Sequence, residues 1–188
     1  MPLSPSFSSR TPSGEDRPRQ VCDHCGFIDY VNPRIVVGAV AAWSPDGPAF
    51  GPDAVPLERV RVLLCRRAIL PRRGYWTLPA GFMETGETLA EAVRREAREE
   101  ACAELTLDAL LAVYDLPHRS QLQFMHRATL ATPEVAAGPE SLDAALFWWG
   151  DIPWKALAFH SVHWALHAFE ASRHQARFPP FGNPEAGA

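Results

Sequence analysis

The chain holds a single lysine, Lys155, among 18 Lys and Arg residues, so arginine carries nearly all of its positive charge. It also has little cysteine, four residues in 188, and no excess of positive charge. No apolar run reaches the ~18 residues that a membrane-crossing helix needs. Each shortage excludes something. Four cysteines in a chain of this length do not make a disulfide scaffold, so a reducing cytoplasm is the expected compartment. The opening stretch MPLSPSFSSRTPSGEDRPRQ lacks the apolar centre of a secretory signal. A net charge of −4 and a pI near 6.0 speak against nucleic acid or an anionic membrane as partner. A small anionic ligand remains open, because a metal or a local arginine cluster overrides a weak global charge.

What is present suits one soluble domain with a small appendage: 47% of residues are hydrophobic and 21% charged. Residues 1–20 are polar and proline-rich and read as a flexible arm. A CxxC pair, Cys22 and Cys25, opens a knuckle over 21–33. The main domain is expected over 34–175 and a loose tail over 176–188. Within the domain, RIVVGAVAAW (34–43) and RVRVLLCRR (59–67) read as buried strands around a Pro- and Gly-punctuated loop. GYWTLPAGF (74–82) reads as one short extended segment. LTLDALLAVYDL (105–116), QLQFMHRATLA (121–131) and ALFWWGDI (145–152) follow as strands, and 153–175 as a C-terminal helix. The fold class is α+β.

The informative helix begins near Thr88, where TLAE fits a capping box of Thr88 and Glu91. At 100° per residue, measured from Leu89, Glu96 falls near about −20°, Glu100 near about +20° and Glu99 near about −80°. Glu96, Glu99 and Glu100 therefore share the arc that Leu89, Ala92 and Val93 need for packing. Arg94 and Arg98 face the other way. Carboxylates crowded at this spacing repel one another and lose hydration. A hard divalent cation offsets both costs, and Mg²⁺ prefers such oxygens and keeps waters that a phosphate can replace. Glu87 precedes the helix, and Arg95 lies where it can pair with it. Gly81 and Gly86 allow a tight loop that presents backbone carbonyls.

The stretch Gly81–Ala103 resembles the Nudix box, G-x5-E-x7-R-E-U-x-E-E-x-G-U with U aliphatic. Gly81, Glu87, Arg95, Glu96, Glu99 and Glu100 match in type and spacing. Cys102 stands at the usual glycine, which suggests a different helix exit. The flanking CDHCGFIDYVNPRIVVGAV and VLLCRRAILPRRGYWTLPAGFMETGET are similar to a Nudix subgroup with an N-terminal zinc-ribbon-like segment. That resemblance implies a mixed sheet sandwiched between helices and a short ribbon-like extension. It implies hydrolysis of the diphosphate bond in an ADP-ribose-like or FAD-like nucleoside diphosphate derivative. It also implies Mg²⁺, with Mn²⁺ able to substitute, on Glu96, Glu99, Glu100 and the Gly81 carbonyl, and a homodimer. The general base is expected at a box glutamate or at Glu140 in GPES.

Arg66, Arg67, Arg72 and Arg73 flank the box and are candidates to grip phosphate oxygens. Tyr114, Phe124 and Phe27 are candidates to stack on a base or flavin, and His118 and Gln121 to close over the site. Cys65 and Cys102 read as buried thiols. Cys22 and Cys25 supply half of a tetrahedral zinc site, and residues 1–20 hold no second pair, so a degenerate ribbon is favoured over structural Zn²⁺. The alternatives kept open are a nucleoside triphosphate pyrophosphohydrolase and a non-catalytic ADP-ribose sensor.

Overall fold

A computed structural model describes residues 6–185, and the chain divides at Pro33/Arg34 into two units. The N-terminal unit is a three-stranded antiparallel sheet of β1 (Phe7–Arg10), β2 (Arg19–Cys22) and β3 (Ile28–Asp29). The segment expected as a flexible arm therefore contains β1 and the first half of β2; its residues 1–5 lie outside the described ones. Val21 and Cys22 are its buried apolar side chains, and polar contacts tie the rest together. Ser6 and Ser8 donate to Asp23 at 2.8 and 2.7 Å, and Arg19 and Tyr30 donate to Glu15 at 3.0 and 2.7 Å.

The second unit is built on β4 (Arg34–Trp43), β5 (Arg61–Arg67), β6 (Trp76–Thr77), β7 (Ala80–Phe82), α1 (Leu89–Ala101), β8 (Leu105–Leu116), β9 (Gln121–Leu130), β10 (Ser141–Trp148) and α2 (His160–Ser172). The sheet order is β10-β5-β4-β9-β8, with β6 on β5 and β7 on β4. The β4–β9 pair is parallel and the others are antiparallel. The unbroken apolar runs of β4 and β5 follow from burial on both faces. Val37, Ala39 and Ala41 pack with Leu63, Cys65 and the α1 residues Ala92, Val93 and Ala97. Val40 and Ala42 pack with Val62, Leu64 and the α2 residues Val162, Leu166 and Phe169. The sheet is thus sandwiched between the two helices, as expected.

Several expected boundaries move. The 74–82 segment splits around Pro79, which cannot donate to a ladder. The last strand ends at Trp148, and 149–151 is a 3₁₀ turn. The C-terminal helix begins only at His160, after a 3₁₀ turn at 154–156, because Leu157 bridges Trp76 and Ala158 donates to its carbonyl at 2.7 Å. The segment after Arg177 is docked rather than loose. Phe181 exchanges hydrogen bonds of 2.9 Å with Leu111 and Val113, and Asn183 bonds both backbone groups of Asp115. Residues 186–188 lie outside the described ones.

Arg127 anchors this end. It is 1% exposed, pairs with Asp108 at 2.7 Å, and donates to the carbonyls of Ser172 and Gln175. Its guanidinium lies between the rings of Phe50 and Phe178, 4.5 and 4.6 Å from their centroids.

Candidate active site

α1 starts where the sequence places it. Thr88 caps it, with both arms of the Thr88/Glu91 capping box formed, and Gly86 turns the preceding loop at φ +89°. The helix then lies so close to β7 that a Cβ on Gly81 would overlap the Glu96 carboxylate. A glycine is required there by this approach. Glu100 reaches the same strand and accepts the Ala80 N–H at 3.0 Å. Glu96 is 9% exposed and Glu100 7%. Burial raises the Glu100 carboxyl to about 8; the Ala80 N–H partly offsets this, and neighbouring Glu96 adds to it. Burial also raises Glu96, against the pull of Arg95.

Arg95 organises the remaining acids. It donates twice to Glu87, at 2.7 and 3.0 Å, and once each to Glu96 at 2.8 Å, Glu99 at 3.0 Å and the Phe82 carbonyl at 3.0 Å. With these bonds, Arg95 and then the Glu84 N–H hold the Glu87 carboxyl down at about 2. Glu99 stands apart from the buried pair, its side chain 58% exposed. Among the described residues no three His, Cys, Asp or Glu side chains are gathered as a ready metal cage.

Glu140 is brought in by helix capping. The 132–140 loop supplies donors to α1's last carbonyls, with Ala136 N–H on Ala101 and Gly138 N–H on Glu100, both at 3.0 Å. A Cβ on Gly138 would overlap the Glu99 carbonyl, so only glycine fits this path. The helix itself ends with Cys102 in the left-handed region, φ 51° and ψ 31°, its N–H on Arg98. The expectation of a different exit is therefore corrected: cysteine adopts the glycine conformation, and it is exposed rather than buried. Cys65 is buried, which pushes its thiol up.

A cleft of about 1070 Å³ runs from the acids to the start of α2. Glu96, Glu99, Glu100, Glu140, Arg95, Gly81, Arg67, Arg72, His118 and Gln121 line it. Arg66 and Arg73 do not; Arg66 is tied to the Gly74 carbonyl at 3.0 Å. Tyr114 is corrected outright: it is 1% exposed, stacked edge-on against Trp164 in the core, and has no face to offer a ligand. Phe124 alternates with the cleft residues Gln123 and Met125 along β9, so it turns away. Phe27 belongs to the N-terminal unit. The sequence reading missed Arg119, Gln123, Lys155, Phe159 and Ser161 as lining residues. Only Lys155, as the lone lysine, carried any mark.

In the N-terminal unit Cys22 and Cys25 are free thiols, and backbone N–H groups of Cys25 and His24 hold the Cys22 thiol below its ordinary value. Two thiolates with no further cysteine in the unit do not complete a tetrahedral site. The unit does not fit zinc.

Residues 50–159 match the family model described as NUDIX domain, and residues 5–31 match a zinc-ribbon model described as Nudix N-terminal. The chain belongs to the Nudix family. A crystal structure of a NUDIX hydrolase from Nitrosomonas europaea is similar to it with a TM-score of 0.81 and 39% identity, covering 96% of this chain and 95% of that one. Human 8-oxo-dGDP phosphatase NUDT18 is 38% identical over 65% of this chain and 38% of its own length. ADP-ribose pyrophosphatase of Methanocaldococcus jannaschii is 32% identical over 56% of this chain and 65% of its own. The chain thus spans between about a third and two thirds of these two curated relatives' lengths.

Proposed function

We propose that the chain hydrolyses the diphosphate bond of a nucleoside diphosphate derivative, of the ADP-ribose or FAD kind, with a divalent cation. The observation that carries this is the buried pair Glu96 and Glu100 at the floor of an open cleft. Glu100 has a backbone N–H beside it and no side-chain cation bonded to it. Burying two adjacent carboxylates is costly, and a cation that joins them offsets that cost.

The donors fit Mg²⁺, with Mn²⁺ as substitute: Glu96, Glu99, Glu100 and the Gly81 carbonyl offer hard oxygens. When bound, the ion would neutralise diphosphate charge and acidify a bound water. The protein's own contributions are separable. Arg95 fixes Glu87 and orients Glu96 and Glu99. Glu140, presented at the cleft by the capping loop, accepts the proton of the attacking water. Water adds at one phosphorus, and the bridging P–O bond breaks. Arg67, Arg72 and His118 steady the phosphoryl oxygens. The same proposal includes a cytoplasmic homodimer, supported by four free thiols and by the family likeness; light scattering measures the second.

The test is a substrate panel with Mg²⁺ — ADP-ribose, FAD, NADH, diadenosine polyphosphates and deoxynucleoside triphosphates — with products identified. AMP plus a second phosphorylated product is expected. Nucleoside monophosphate plus pyrophosphate would favour triphosphate cleavage instead. Absence of any turnover alongside tight ADP-ribose binding would favour a sensor.

A further inference from the structure

The main sheet treats its two edges differently. At one edge the chain covers β8 itself: Phe181 exchanges hydrogen bonds with Leu111 and Val113, and Asn183 bonds Asp115. At the other edge β10 has β5 on its inner side and no strand on its outer side among the described residues. The Trp149 N–H on the Val60 carbonyl sets the alternation of this ladder, so Ala145 and Phe147 turn their backbone groups inward to β5. Ala144, Leu146 and Trp148 turn theirs outward, where no backbone partner meets them among the described residues. An irregularity between Ser141 and Asp143 and the charge of Asp143 blunt the start of the strand. Residues 144–148 are regular and hold neither a charge nor a proline.

An unmatched cation stands at the end of this open edge. Arg61 pairs with Trp148 on β10 and with Trp43 on β4, and its guanidinium lies 4.0 and 5.6 Å from their ring centroids. Its Nε is buried without a hydrogen-bond partner. Arg61 forms no ion pair among the described residues; the nearby Asp46 pairs with Arg59 instead, at 3.3 Å. A guanidinium already part-desolvated by two tryptophans bonds an anion more strongly than a hydrated one does. A carboxylate matches its planar fork.

We propose that β10 docks an extended acidic segment of another protein, which adds a strand to the sheet and seats one carboxylate on Arg61. Backbone groups along the edge supply the affinity, and the arginine between two tryptophans supplies the choice of side chain. Charge complementarity favours this occupant over a second copy. A two-fold axis that pairs β10 with itself keeps each face of the sheet with its like. Asp143, the acid of β10, shares the face of Phe147, opposite to that of Leu146, Trp148 and Arg61.

The test selects binders to the full chain from a display library of random short peptides, and the strongest is then synthesised. The selected peptides should carry Asp or Glu. On binding, the amides of Ala144, Leu146 and Trp148 should exchange with solvent more slowly, while those of Ala145 and Phe147, already bonded to β5, stay as they were. Arg61→Met keeps an apolar side chain between the tryptophans and should weaken binding by at least about tenfold. Arg59→Met, one turn away and outside the ladder, should leave it unchanged. Should Arg61→Met fail to fold, the alternating exchange pattern in the native chain decides alone. Selection without acidic residues, protection that misses the three outward amides, or equal binding by a folded Arg61→Met overturns the proposal. So does a dimer of the native chain, seen by sedimentation, whose formation protects those same amides, because a second copy then holds the edge.

Discussion

Replacing Glu100 by Gln separates the cost of the buried acid from its use. The glutamine is close in volume, and its carbonyl oxygen can still accept the Ala80 N–H, so the packing is kept and the charge is gone. In the folded chain the carboxyl is raised to about 8 from an ordinary 4.5, chiefly by burial. The folded state therefore holds a proton that the unfolded chain releases. Stability from this group is full below the unfolded value, declines as pH rises through about 8, and then levels off. Each pH unit in that window costs about 1.4 kcal/mol, so the metal-free native chain gives up about 3 kcal/mol at neutral pH and less than about 1 kcal/mol near pH 5. Urea unfolding in EDTA should find Glu100→Gln the more stable protein at pH 7 by this order, with the gap closing toward pH 5. Turnover with Mg²⁺ should fall at least about a hundredfold in the same variant. Millimolar Mg²⁺ should raise the native midpoint and leave that of the variant nearly unmoved. A stability gap that did not change with pH would refute the titration. A variant that kept full Mg²⁺-dependent turnover would refute the role of the acid.

Other outcomes follow from single contacts. Cys102→Gly should stabilise the chain by about 1 kcal/mol in thermal unfolding, because the left-handed exit costs a β-carbon about that much. Gly81→Ala should destabilise by about 1–3 kcal/mol and depress turnover, since its methyl meets the Glu96 carboxylate. Arg127→Ala and Arg127→Met both leave Asp108 and the Ser172 and Gln175 carbonyls without their donor, but Met keeps contact with Phe50 and Phe178, so it should cost less stability in thermal unfolding than Ala. Elemental analysis should find no stoichiometric zinc, and Asp23→Ala should broaden amide signals of residues 6–33 where EDTA does not.

The helix that carries the acids was legible because its evidence is local. A period of 3.6 residues places three glutamates on the packing arc, and the structure buries Glu96 and Glu100 there; Glu99 is a correction, since at the edge of that arc it is exposed. The capping box likewise needs only four consecutive residues. Sites assigned by residue type alone fared differently. Tyr114 sits in a strand whose two faces are both covered, so alternation gives no hint of which aromatic meets solvent. Phe181 pairs through its backbone, and main-chain hydrogen bonds leave no compositional trace. Arg127 reads as an exposed residue of an alternating strand until Asp108, Ser172 and Phe178, all distant in sequence, enclose it. The lining of the cleft has the same character: Arg67, Arg119 and Phe159 come from three separate elements, and none is unusual in its own segment. Chemistry held on one helix can thus be read from the chain, whereas the walls that meet the rest of a substrate depend on contacts between distant segments. On the hydrolase reading, substrate choice falls to those walls, so a variant of Arg119, rather than of the α1 glutamates, should change which compounds of the substrate panel are cleaved.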